Sequence, residues 1–348
     1  MQKKFDSYLE LTDYFKEKSN CISYFTYQRW PEGVTCPHCN HTRVYILKTG
    51  YKCANNQCYK KFNCFTKTIF ENSKISLRNW FTAIYLLTTN TWGISSYELA
   101  RKLNIRQATA WFILHRIREI YKEKHEEKLT GVVQLDETAV GGKNKNRHKN
   151  KKVKNSQGRS LADKTWVFGI VKNNEAHARV YVVPNTDVET LLPLIDENVD
   201  QSSTIVTDGH RSYWGLSDYY EKHVMVKIDG AYSSDEGYNT NRVEGLWTHL
   251  KKMYNGTYHH MSKKHLQKYC DELAYKYNNK KPNDCVTFDS AVGRIDSSSR
   301  LKYKQLVGDG KKRKVQVSQA DKDQEEYNHD KLRLEAEFRG KISSGRKL

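Results

Sequence analysis

Four cysteines in two pairs, Cys36-Pro-His-Cys39 and Cys53-Ala-Asn-Asn-Gln-Cys58, constrain the fold of this chain more than any other feature. Each pair is short enough to form a knuckle whose backbone amides stabilise thiolates. The thirteen residues between the pairs suit a small hairpin. Tetrahedral Zn²⁺ takes four converging soft ligands of this kind, so Cys36, Cys39, Cys53 and Cys58 are predicted to hold one structural zinc. Val44-Tyr45-Ile46-Leu47 and Tyr51-Lys52 suit the two strands of a ribbon turned at Thr49-Gly50. So small a ribbon buries too little apolar surface to fold alone, and the metal supplies part of its folding energy. Cys21, Cys64, Cys270 and Cys285 lack neighbouring partners and are expected to be ordinary buried residues. His38, inside the first knuckle, is expected at the surface.

Charge comes next. Lys and Arg number 59 against 40 acids, a net charge of +19, which favours a polyanionic partner and above all nucleic acid. Aromatic residues make up 12% of the chain, enough to build cores beside that charge, so a disordered polycation is excluded. No run of eighteen apolar residues offers a membrane span. The opening MQKKFDSYLELTDYF has no apolar centre and predicts an amphipathic helix rather than a signal peptide. Eight cysteines without such a signal point to a reducing cytosol.

A helical module is predicted after the ribbon. SLRNWFTAIYLLTT (76–89) has helical apolar periodicity, and GISSYELARKL (93–103) opens with a Ser cap and Glu98 three residues after Ser95. Asn104-Ile105 turns the chain into a further helix through about residue 121. A short helix, a tight turn and a helix opening with Arg106 and Gln107 is the helix-turn-helix pattern, and those two side chains suit phosphates or base edges.

From about residue 131 the periodicity becomes that of strands: 132–140, 166–171 and 179–183, then a helix over 186–199 and strands at 204–207 and 224–228. Helices are predicted around 241–254 and 262–277, making a mixed α/β sheet. Residues 143–159 hold eight Lys or Arg and no acid, which predicts a flexible basic loop. Lys143, Lys145, Arg147, Lys149, Lys151 and Lys152 in that loop, and Arg242, are candidate DNA contacts. The predicted organisation is a helical segment (1–30), a zinc ribbon (31–66), a helix-turn-helix region (74–125), a catalytic domain (130–285) and a basic, partly disordered tail (286–348).

Three acids stand out on that scaffold. Asp136 lies in the middle of the first strand, where an ionised side chain is costly unless paired or metal-bound. Strand alternation turns its neighbour Glu137 to the other face, where it is expected to be a supporting or surface acid. Asp208 follows the strand 204–207, and active sites of open α/β sheets gather at such strand ends. Glu244 lies on the helix NRVEGLW, with Lys251 two turns on along the same face. Carboxylates from two strands and a helix suit two Mg²⁺ (or Mn²⁺) ions, which prefer oxygen ligands and keep positions open for water and phosphate. Lys251 suits the DNA backbone as a point charge. Tyr213 and Trp214 offer rings on which an unpaired base can stack or which can pack in the core. His259 and His260 suggest a basic turn facing DNA.

The spacing Asp136-(71)-Asp208-(35)-Glu244-(6)-Lys251 resembles the DDE transposases and retroviral integrases. CPHC, GISSYELARKL, VQLDETAVGGK, TDGHRSY, NRVEGLWTHLKK and GTYHHMSKKHLQKYCDELAYKYN together resemble the zinc-ribbon insertion-sequence transposases, ISXO2-like and related to Merlin elements, over about residues 10–280. The resemblance implies an RNase H-like sheet with flanking helices, preceded by the ribbon and the helix-turn-helix. It also implies a transposase that binds terminal inverted repeats and cleaves and transfers strands with Mg²⁺. The family's two Asp positions fall on Asp136 and Asp208, its basic position on Lys251. Its third position is Glu or Asn in different branches, so Glu244 and Asn241 both stand as candidates. The implied partners are element-end and target DNA and further copies of the chain, as a homodimer or higher oligomer in a bacterial, nucleoid-associated setting. The alternative is a catalytically retired transposase kept as a DNA-binding protein.

Overall fold

The computed structural model describes residues 3–123, 125–142, 149–152, 164–226, 237–280, 283–297 and 301–308. The N-terminal core is aromatic. Helices α1 (Tyr8–Tyr14), α2 (Lys18–Arg29) and α3 (Leu77–Thr89) bring Phe15, Phe25, Phe81 and Trp80 together, all buried, with Phe15 and Phe81 ring centroids 4.6 Å apart. Ser76 caps α3 by accepting from the Asn79 amide at 3.2 Å, which satisfies one of the unpaired amides of the first turn.

The zinc ribbon is part of this core rather than an appendage. Its strands β1 (Val44–Leu47), β2 (Gly50–Cys53) and β3 (Lys61–Phe62) form an antiparallel sheet, one strand more than the sequence predicts. Phe62 of the added strand packs with Trp30 and Tyr51, so tertiary contact recruits a pair of residues too short to carry a strand pattern.

Helices α4 (Ser96–Leu103) and α5 (Gln107–Ile117) follow the predicted spans closely. The Ser95 hydroxyl accepts from the Glu98 amide at 3.1 Å, and Asn104 takes the left-handed conformation (φ 50°) that turns the chain.

The second half is built on a five-stranded sheet, β4 (Val132–Val140), β5 (Thr165–Lys172), β6 (His177–Val183), β7 (Thr204–Thr207) and β8 (Lys222–Met225), ordered β6-β5-β4-β7-β8. The first three strands are antiparallel neighbours. A crossover through α6 (Val188–Asn198) then sets β7 parallel to β4, and β8 parallel to β7. A sheet whose second strand runs against all the others, with helices on both faces, is RNase H-like. Alternation along β5 explains the layers: Val167 and Val171 pack under α7 (Asn241–Lys252) and α8 (Leu266–Asn278), while Phe168 and Ile170 pack under α6. The edge strand β6 is sealed by α8, whose Gln267 and Asn278 amides bond the backbone of Val180, Val182 and Ala178 at 2.6–3.0 Å.

Residues Met1–Lys302 make one compact unit and Tyr303–Leu348 a second. The tail expected from residue 286 starts later than that. Helix α9 (Asp284–Gly293) buries Phe288, Ala291 and Val292 in the N-terminal core, beside Phe15 and Phe81. Its apolar residues find partners more than 200 positions away, which local composition does not reveal. In the second unit the short helix α10 (Tyr303–Val307) is described.

Candidate active site and cysteine cluster

Asp136 and Asp208 are brought together by strand register. Val132 pairs with Thr204 and Gln134 with Val206 across the parallel β4–β7 ladder, and two more residues along each chain set Asp136 beside Asp208. Asp208 stands just past the end of β7, half-buried, where its Oδ1 accepts from the His210 amide at 3.0 Å. Glu137 points to the opposite face, as alternation requires.

Helix α7 is docked onto the same strand by side chains of β4. Gln134 Oε1 accepts from the amides of Arg242 and Val243 at 3.0 and 3.1 Å, holding the first turn of the helix in place. One turn on, Trp247 Nε1 donates to Asp136 Oδ2 at 2.8 Å. The indole reaches that far because Gly169 of β5 lies beneath it. A Cβ there would come within 2.7 Å of the ring, so only glycine permits this crossing.

Burial pushes the Asp136 carboxyl up to about 7, with Glu137 and Asp208 adding like-charge repulsion and the Trp247 bond partly opposing it. Glu137 is also raised, first by burial and then by Asp208, while the Tyr213 hydroxyl and His210 pull the other way. His210 Nδ1 lies 3.3 Å from Glu137 Oε1, and the fully buried Tyr213 donates its hydroxyl to Glu137 Oε2. Asp136 on one face of β4, Glu137 on the other and Asp208 beside them thus repel one another, without a lysine or arginine paired to them among the described residues. That arrangement fits divalent cations, whose charge would relieve both the burial and the repulsion.

Glu244 is placed differently. It is exposed in the first turn of α7, three residues before Trp247, and its Oε1 accepts from the Thr240 hydroxyl at 3.0 Å. Among the described residues Asp136, Asp208 and Glu244 do not form a converged ligand group as the four cysteines do. Asn241, the first residue of α7, is exposed with its amide bonded to Asn239 Oδ1 at 3.2 Å. Lys251 is exposed two turns beyond Glu244. Glu137, read from sequence as a supporting or surface acid, is half-buried against Tyr213 and His210 rather than at the surface. The adjacent Asp-Glu pair in the strand was the available signal. Tyr213 is core and bonded to Glu137, whereas Trp214 is 61% exposed with Arg211 over its ring. Exposed His259 adopts a left-handed conformation (φ 56°) after α7.

The cysteine cluster is tightly converged. The Sγ atoms of Cys36, Cys39, Cys53 and Cys58 all lie within 4.8 Å of one another, with Cys36–Cys58 at 3.8 Å and Cys39–Cys53 at 3.5 Å. A tetrahedral zinc with bonds of about 2.3 Å requires sulfurs about 3.8 Å apart, so a structural zinc fits. The amides of His38 and Asn55 point at Cys36 and Cys53 sulfur at 3.5 and 3.4 Å, the expected knuckle bonds. Cys21, Cys64, Cys270 and Cys285 are buried, as expected.

Arg106 is exposed at the start of α5, and the Gln107 amide donates to Ser96 Oγ at 2.8 Å, tying α5 to α4. Arg242 is exposed at the start of α7. Lys149–Lys151 form a short 3₁₀ turn, with Lys149 and Lys152 exposed. Lys143, Lys145 and Arg147 lie outside the described residues. No helix among those described is long and apolar enough to cross a membrane.

Residues 128–278 match the ISXO2-like transposase domain. Over 218 residues, 59% of this chain and 72% of the relative, the chain is 27% identical to an uncharacterised protein in transposable element ISH50 of Halobacterium salinarum. Over 101 residues, 28% of this chain and 78% of the relative, it is 32% identical to an uncharacterised transposase-like protein of Haemophilus influenzae.

Proposed function

The chain belongs to the ISXO2-like transposases, and from that premise we propose that it binds the terminal inverted repeats of an insertion sequence and performs Mg²⁺-dependent strand cleavage and strand transfer. The observation carrying this reading is the pairing of Asp136 with Asp208 at one strand end, where burial and repulsion leave the acids short of positive charge. Asp136, Asp208 and Glu244 would hold two divalent ions, which when bound would supply activation of water or a DNA 3′-hydroxyl and charge stabilisation for the departing oxygen of an in-line displacement.

The chain's own residues do the rest. Trp247 fixes the rotamer of Asp136 through the 2.8 Å bond and shields one side of its carboxylate from water. Glu244 exchanges the Thr240 hydroxyl for the shared site, since its place in the first turn of a docked helix keeps it within a side chain's swing of Trp247. Asn241 is the other candidate for that third position. Lys251 holds the DNA backbone. The cysteine-held ribbon and the α4–α5 pair, with Arg106 and Gln107 at its helix start, read the element ends. The basic loop from Lys143 through Lys145, Arg147, Lys149 and Lys151 to Lys152, with Arg242, adds phosphate contacts whose strength falls with salt. Two element ends call for a homodimer or larger assembly on DNA, in the cytoplasm and at the bacterial nucleoid.

The test is cleavage of the element's own ends by wild type and Asp208→Asn. Loss of Mg²⁺-dependent cleavage by about a thousandfold or more, with end binding kept, is the expected result. Equal cleavage by both proteins overturns the site assignment. End binding without cleavage by the wild type would make the chain a catalytically retired transposase serving as a DNA-binding protein.

A further inference from the structure

A cavity of about 560 Å³ opens beside α7, lined by Trp92, Thr248, Lys251, Lys252, Asn255 and Thr257. Its size falls within the roughly 300–1,000 Å³ of small-ligand sites. Its chemistry is uneven in a telling way. One wall is an aromatic plane, half-buried Trp92, which lies 4.7 Å from the His249 ring and has Lys252 Nζ 4.7 Å from its centroid. Beside Lys252 the rim carries Lys251, two hydroxyls and a carboxamide, and no acid lines the cavity. Neither lysine has a carboxylate partner among the described residues.

The Trp92 wall is rigid. Trp92 sits in the loop between α3 and α4, whose backbone is held by Lys276 Nζ donating to the Asn90 carbonyl at 2.7 Å. Gly93, next in the chain, adopts a positive φ (81°) and lies so close to Tyr258 and Glu272 that a Cβ would overlap the tyrosine oxygen at 1.9 Å. The floor is equally specific. After Lys252 the helix widens into a π-turn, Met253–Tyr258, and Tyr258 donates to buried Glu272 at 2.7 Å. Such widened turns are frequent at functional sites. Here it turns Asn255 and Thr257 into the cavity.

Lys251 and Asn255 also line a second, smaller cavity of about 90 Å³ whose far wall is Thr138–Gly141 of β4 and the turn after it. Asp136 lies two residues before Thr138, on the same face. The two cavities share walls and lead from the acidic strand to Trp92. A flat ring, paired lysines, hydrogen-bonding groups and the absence of acid together suit a nucleotide: base on the indole, phosphate on the ammonium groups.

We propose that the Trp92 cavity takes an unpaired nucleobase from the DNA end being processed, stacked on Trp92 with its phosphate on Lys251 and Lys252. The source of that base rests on the transposase reading; the pocket's preference for an unpaired base does not. The experiment measures binding of the full-length protein to a forked duplex with four unpaired terminal nucleotides, one of them 2-aminopurine, and to the same duplex with every nucleotide paired. Wild type is expected to quench the 2-aminopurine of the fork, Trp92→Phe to quench it partly, and Trp92→Ala to leave it bright while binding the fork about tenfold more weakly. The fully paired duplex should bind all three alike.

Thr248→Trp fills the cavity from the exposed face of α7 without removing Trp92, and should reproduce the loss if Trp92→Ala does not fold. Equal quenching and equal fork affinity in wild type and Thr248→Trp overturn the proposal, as does a free deoxynucleotide that binds as tightly as the fork. Fork-specific quenching without any cleavage of element ends would sink the catalytic reading and leave the pocket standing. Cleavage with no fork preference would do the reverse.

Discussion

Two carboxylates withdrawn from water, one wholly and one in part, meet opposite fates. Glu272 on α8 is fully buried, yet Arg118 lies 2.8 Å from one of its oxygens and Lys276 2.9 Å from the other, and Tyr258 donates a third bond. Those partners hold its carboxyl below the usual carboxylate range despite a burial effect that acts the other way. Arg118 is itself covered by the rings of Tyr269 and Tyr258, at 4.1 and 5.1 Å. Asp136 is less completely buried, is given an indole N–H and a backbone amide but no cation, and rises to about 7. The contrast teaches where this chain places positive charge. Cations are built in where helices α5 and α8 need to be joined, and they are left out where the proposed metal ions bring their own.

The sharpest way to break the comparison is Glu272→Gln. It strands Arg118 and Lys276 in a buried site, so unfolding should become easier by about 3–5 kcal/mol at pH 7, read from denaturant midpoints. Because the folded-state pKa of Glu272 is lowered, its contribution is present above the unfolded carboxylate pKa and is lost as pH falls through the folded value. The difference between variant and wild type should therefore shrink in acid. An unchanged midpoint would mean the network is not what locks the α5 end to α8.

Asp136→Asn should move stability the other way. A carboxyl raised from 3.8 to about 7 makes the native state the stronger proton binder, so ionising it costs stability as pH climbs through that window. The shift sets a ceiling of about 4 kcal/mol, and partial solvent access reduces the expected gain to about 2 kcal/mol. With magnesium omitted, the variant should melt higher than wild type at pH 8 and alike at pH 4; with magnesium supplied, it should lose cleavage. A variant less stable at pH 8 would show that Asp136 is already satisfied by the protein itself.

The halves of this contrast differed in how legible they were from sequence. The Asp136–Asp208 pairing could be read, because a nine-residue strand and a strand-end Asp-Gly announce themselves locally. The cysteine quartet and the α4 cap were equally local. Glu137, Trp247 and the Arg118–Glu272 pair were not legible in the same way. Each depends on which residue lies across from it after packing, and positions 118 and 272 are 154 apart. The same holds for the third ribbon strand and for α9, whose burial comes from helices at the other end of the chain. Glu244 shows the limit from the opposite side: spacing picks out the residue, but its exposed bond to Thr240 is set by a rotamer that no pattern encodes.

The finest test compares hydroxyl donors. Tyr258 donates to Glu272, which stays charged, and Tyr213 donates to Glu137, whose carboxyl is raised by burial and by Asp208. Tyr213→Phe keeps the ring in its buried slot and removes a bond that favours the charged form of Glu137. The Glu137 carboxyl should rise further, and the loss should be about 1 kcal/mol at neutral pH, the ordinary worth of one hydrogen bond. That loss should fade as Glu137 takes up a proton in acid, because the Tyr213 hydroxyl bond favours the charged carboxylate over the neutral one. Urea midpoints of the variant and wild type at pH 8 and pH 5 give the answer. A loss that stays constant across that range would make Tyr213 a packing residue and would remove Glu137 from the acidic cluster's electrostatics.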